Sequence, residues 1–188
     1  MNVMKKIAIV GSKETDVTLF PRLMGEISKV IKPYLISEVR SNNEEGMGQL
    51  ANEFFDLMVN VVHYLPWENH NKHLEAAEKK DIYNTIKYEV VEDDNAQDGW
   101  FFEWFAGEIT KVSKMHPEYS WMPKNRRHLL LRARRAMCIL VGYLDLAYDE
   151  VDIVFWYSNT DELDEDMRYI LKIADFFSIK CIRLTLTE

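Results

Sequence analysis

Five short apolar runs punctuate this chain, and their placement constrains its fold more than any other feature. KKIAIV (Lys5–Val10), YLISEV (Tyr34–Val39), VVHYL (Val61–Leu65), VDIVFWY (Val151–Tyr157) and IKCIRL near the carboxyl end are brief and rich in β-branched or aromatic residues, and most end at a glycine, proline or polar turn. Runs of this kind read as buried strands. Between them the apolar residues shift to helical spacing. Phe20, Met24, Ile27 and Ile31 recur every three to four residues, with Pro21 suited to a first turn and Pro33 ending the pattern. A second stripe holds Met47, Leu50, Ala51, Phe54 and Met58. A third holds Leu129, Ala133, Ala136, Met137 and Leu140, and a fourth Leu163, Met167, Ile170, Leu171 and Ala174. Strand and helix in alternation predict an α/β fold, a mostly parallel five-stranded sheet with helices on both faces.

Residues 67–123 interrupt this alternation with dense charge and aromatics, from ENHNKHLEAAEKKDIYN to WFFEWFAGEITKVSKM. A connection of about 55 residues is too long for an ordinary loop. It is expected to be a helical and irregular insertion into a single domain spanning 1–188, with a short helix near 71–80 and another near 97–115. Its aromatics, Trp100 to Phe105, suit packing within the insertion or a homodimer contact.

Composition excludes several classes. With 188 residues, 47% of them apolar, the chain can bury a substantial core. A net charge of −8 argues against broad, non-specific nucleic-acid binding. Cys138 and Cys181 sit in apolar runs without a CxxC pair, so both read as small buried hydrophobes rather than zinc or redox groups. His70 and His73 stand three apart with no clearly spaced third ligand, so neither a metal nor a cofactor is expected. The N-terminal apolar run IAIVG is too short for a signal peptide or a membrane span, which points to a cytoplasmic protein without a membrane partner.

In an open parallel sheet, ligands bind beyond the carboxyl ends of the strands, where helix N-termini favour anions. Gly11 and Ser12 follow the first run, Gly46 and Gly48 open the second helix, and Ser158, Asn159 and Thr160 follow the fourth. Asn159 or Thr160 suits the N-cap of the last helix. Arg126 heads the third apolar stripe and is placed for a phosphate or carboxylate, or for a salt bridge to a protein acid. Arg132, Arg134 and Arg135 read as a solvated face. The acids from Asp161 to Asp166 complement a helix N-terminus, and only Asp161 and Glu162 are placed for catalysis in the crevice.

In order along the chain, KKIAIVGSKE, EEGMGQLA, LPW, KNRRHLLLRA, DIVFWYSNTDEL and IKCIRL resemble the motifs of the SLOG superfamily of Rossmann-like nucleotide-binding domains, over roughly residues 5–66 and 120–187. The resemblance implies a crevice for a nucleotide or nucleotide-derived phosphorylated small molecule. Gly11, Ser12, Gly46, Gly48, Arg126, Ser158, Asn159 and Thr160 would contact it. The second loop lacks the family's Gly-Gly pair, and Leu163 stands where the phosphoribohydrolase members carry a glutamate. Hydrolysis of a nucleoside monophosphate at its N-glycosidic bond, with Glu162 or Asp161 as the acid, is therefore the alternative to simple binding. A non-catalytic protein-interaction module is the third reading.

Overall fold

The computed structural model describes residues 3–75, 79–91, 123–142 and 149–187. In chain order its strands are β1 (Lys5–Gly11), β2 (Ile36–Ser41), β3 (Asn60–Leu65), β4 (Lys79–Lys80), β5 (Thr85–Val90), β6 (Ile153–Tyr157) and β7 (Lys180–Arg183). They form one sheet in the order β4-β5-β3-β2-β1-β6-β7. Six strands are parallel, and β4 pairs antiparallel with β5 at one edge. The α/β parallel architecture is the expected one, but the sheet is wider than five strands. The additional parallel strand, β5, comes from the segment read as an insertion.

β1 is central and buried on both faces, which explains its unbroken apolar sequence. Successive side chains alternate between faces. Ala8 and Val10 join the core beneath α3 (Pro123–Val141) and α4 (Glu165–Phe176). Ile7 and Ile9 join the opposite core, beneath α1 (Phe20–Val30) and the short α2 (Met47–Leu50). The helices thus cover both faces, as the pattern predicts.

Several local readings change. α2 lasts one turn and passes into a 3-10 helix, Ala51–Leu57, which ends on Met58 in the left-handed region at φ 63°. Met58 is consequently exposed instead of completing a stripe. Among the described residues of 71–80 there is no α-helix but a 3-10 turn, Lys72–Leu74, and the short strand β4, and the helix expected near 97–115 lies outside the described residues. Asp164, not Asn159 or Thr160, caps α4, its carboxylate accepting the Met167 N–H at 2.9 Å. Cys138 is buried, but Cys181 is exposed on the edge strand β7.

Candidate functional site

The chain runs outward from β1 through β2 and β3 to β5, then returns to place β6 on the other side of β1. Two neighbouring loops therefore leave the sheet in opposite directions at the carboxyl ends of β1 and β6. Such a switch point opens a crevice. A cleft of about 410 Å³ occupies it, walled by the turns after β1 and β6 and by the start of α4.

Its polar wall is built by two small side-chain turns. Ser12 Oγ accepts the Glu14 N–H at 3.2 Å, and Ser158 Oγ accepts the Thr160 N–H at 3.3 Å. Each serine keeps its hydroxyl proton for another acceptor. Thr160 donates to Glu162 O at 3.0 Å and keeps its oxygen lone pairs. Leu163 and Met167 supply the apolar wall, while Lys13, Glu14, Glu162 and Asp164 supply the charges. Burial raises the Asp164 carboxyl above its ordinary pKa; the nearby acids Asp166 and Glu44 add to this, against the opposing Met167 N–H and Lys13.

Behind Lys13 lies a buried ionic network. Glu44, at the end of the β2 loop, accepts from Arg135 Nη1 at 2.9 Å and Asn71 Nδ2 at 2.8 Å. His70 Nε2 is also 2.9 Å from Glu44 Oε1. Arg135 reaches Asp166 Oδ2 at 3.3 Å, and Lys13 Nζ stands 3.5 Å from both Glu44 and Asp166. Two acids and two cations thus alternate, tying the loops after β1 and β2 to α3 and α4. Burial alone would raise the Glu44 pKa, but His70, Arg135 and Lys13 together hold it well below the usual carboxylate range. Trp67 closes the network's outer side, stacking on His128 at 4.5 Å and meeting the His70 ring edge-on.

His63 supports the β2 loop from inside. Its Nδ1 accepts the Asn43 N–H at 3.2 Å, which leaves Nε2–H to donate to Asn52 Oδ1 at 2.7 Å. Burial lowers its pKa from 6.5 to about 3. Between these values the unfolded chain binds a proton that the folded chain does not. The His63 contribution is therefore intact above pH 6.5 and declines as pH falls toward 3. We expect stability to fall by up to about 1.4 kcal/mol per pH unit in this window. Urea unfolding at stepped pH checks this, and His63→Gln should flatten the slope between pH 6.5 and the carboxylate range.

The expected site residues divide into distinct roles. Ser12, Ser158, Thr160 and Glu162 line the cleft together. Asn159 braces its rim, donating to Glu14 O at 3.0 Å. Asp161 points away, 97% exposed and paired with Arg183 at 3.2 Å. The three glycines expected at the site let one loop pack closely against another. A Cβ on Gly11 would strike Tyr157 O and lie 2.7 Å from Met47 Cγ. Gly46 has φ +64° and backs onto Ser12 O, while a Cβ on Gly48 would lie 2.8 Å from Asn42 Oδ1. Arg126 belongs to α3, but its side chain lies outside the described residues.

Two of the helix N-termini at this edge, those of α2 and α4, each give an N–H to one of the chain's own acceptors. Ser12 O takes the Met47 N–H at 3.0 Å, and Asp164 caps α4. Read from sequence, His70 is half of a metal pair that lacks a third ligand, Asp166 is an acid complementing a helix N-terminus, and Lys13 and Glu44 carry no assigned role; the structure joins them with Arg135 in one ionic network. Arg135, read as solvated, is 2% exposed and Arg134 is 8% exposed. From Ala133 to Val141, α3 is buried all round, so a single apolar stripe does not mark its inner face. Among the described residues no cluster of His, Cys, Asp or Glu is arranged to hold a metal, and no helix is long and apolar enough to cross a membrane. Comparison with family models, curated proteins and solved structures finds no match to this chain.

Proposed function

We propose that the chain binds a nucleotide-derived small molecule in the switch-point cleft. The observation that carries this reading is the convergence of Ser12, Lys13, Ser158 and Thr160 on one hollow at the carboxyl edge. Its volume of about 410 Å³ falls within the range of small-ligand sites. The motif order resembling the SLOG superfamily supports the same reading.

The charges of the cleft narrow the ligand. Lys13 is the only cation among its described lining residues, against Glu14, Glu162 and Asp164. Carboxylates accept hydrogen bonds from ribose hydroxyls, as the acidic residue of dinucleotide sites does. A polyphosphate would meet repulsion from the same groups. The reading is therefore a ribosyl ligand with a single phosphate near Lys13, its base against Leu163 and Met167.

In a thermal-shift series, nucleoside monophosphates should raise the melting temperature more than the corresponding triphosphates. Lys13→Ala should weaken monophosphate binding by about 10- to 100-fold, the scale of one charge-assisted hydrogen bond, and leave nucleoside binding nearly unchanged. Silence toward every nucleoside and nucleotide would overturn the proposal.

Glu162 on the cleft wall favours a second reading, cleavage of the N-glycosidic bond. A carboxylate beside the ribose would stabilise positive charge developing at the anomeric carbon. Free base should then be released from a monophosphate, and Glu162→Gln should abolish the release without abolishing binding.

A further inference from the structure

We infer that the amino-terminal edge of the sheet is the self-interface of a two-fold dimer. The turns entering β2, β3 and β5 carry Tyr34, Leu57, Met58, Ile82 and Tyr83. Four of these are 69–84% exposed, and Leu57 is 43% exposed. The strands are neighbours in the sheet, with Glu38 beside Asn60 and Val61 beside Ile86. Adjacent strands lie about 4.8 Å apart, so the turns form one row. Asn84 Nδ2 locks two of them together, donating to Phe55 O at 2.6 Å.

The row is larger than chance exposure of single residues explains. Its side chains present on the order of 600 Å² of mostly apolar surface, at the upper end for a monomer and most of the roughly 800 Å² per partner of a standard interface. Tyrosine and methionine are also enriched in such contacts.

Met58 gives an independent indication. At φ 63° the backbone favours glycine or asparagine, yet an apolar side chain that is 71% exposed stands there. Folding of one chain gains little from methionine at that position, whereas burial against a partner would.

The charges of the rim suit a second copy. Lys32 borders one end of the row and Asp56 and Asp81 border the other parts, all exposed. A two-fold axis can set Lys32 of each copy against an acid of the other, as a self-complementary contact requires. The cleft lies at the opposite edge and stays open in this arrangement.

Sedimentation of the full chain tests the inference. We expect a concentration-dependent rise toward twice the 22.2 kDa chain mass, over the micromolar range. Met58→Asp suits the left-handed backbone and should weaken the dimer by at least about 100-fold, because it places an unpaired charge in an apolar contact. Tyr83→Lys, on an exposed turn, should do the same and carries the test if Met58→Asp does not fold. A wild-type chain that stays monomeric throughout this range, or a dimer that survives in a folded variant, would overturn the inference.

Discussion

Glu44→Ala is expected to destabilise the protein by about 3–5 kcal/mol, the cost of stripping the partner from a buried charge. Arg135 has a side chain only 3% exposed, and Glu44 is its closest carboxylate, at 2.9 Å. Asp166 remains at 3.3 Å, so the guanidinium is under-compensated rather than wholly abandoned. Asn71 and His70 lose an acceptor in the same substitution. Equilibrium urea unfolding measures the loss, and a change below about 1 kcal/mol would show the network to be as weak as a surface pair. Glu44→Leu combined with Arg135→Met should recover much of the stability, since a well-packed apolar pair can replace an ionic one. The pH dependence has a definite sign. A carboxylate held below its ordinary value of 4.5 stabilises the fold above that pH, and its contribution is lost as pH falls further.

Gly11→Ala should have an effect of similar size by a different route. The added methyl group meets the Tyr157 carbonyl and Met47. Neither the backbone of β6 nor the buried Met47 can withdraw without reshaping the loops that form the cleft. We expect a loss of about 3 kcal/mol, the upper range for inserting a methyl group into a packed interior. Any ligand recognised by Ser12 and Ser158 together should be lost with it. Thermal unfolding and the thermal-shift response check the two parts separately. A stable Gly11→Ala protein with full ligand response would show that these loops are not rigidly coupled.

The legible parts of the fold were those whose signal is local. β1 announces itself because both of its faces are buried, so every residue from Ile7 to Val10 is apolar. β5 was harder to read. Thr85–Val90 reads TIKYEV, and Lys87 and Glu89 interrupt its apolar positions because this strand lies near the margin of the sheet. Its alternation is present, but the surrounding charged sequence hides it. The cleft-lining Ser12, Ser158 and Thr160 were legible because strand topology places the residues after β1 and β6 at one edge. Glu44 and Arg135 were not. Their importance rests on a contact across 91 residues, and no local pattern in RSNNEEG or RARRAM marks either as buried. The glycines were legible as positions that need a missing Cβ, but a turn that admits a ligand and a turn that admits another loop require the same absence.

The switch point also sets an order of events during synthesis. Glu14 and Asn159, which meet across the cleft, are 145 residues apart. A chain emerging from the ribosome can complete β1, β2, β3 and β5 while one flank of β1 still lacks its neighbour. The cleft is complete only when β6 docks there, because Ser158 and Thr160, which follow β6, form part of its wall. Until that moment the bare flank of β1 is the place where a chaperone would have most to protect.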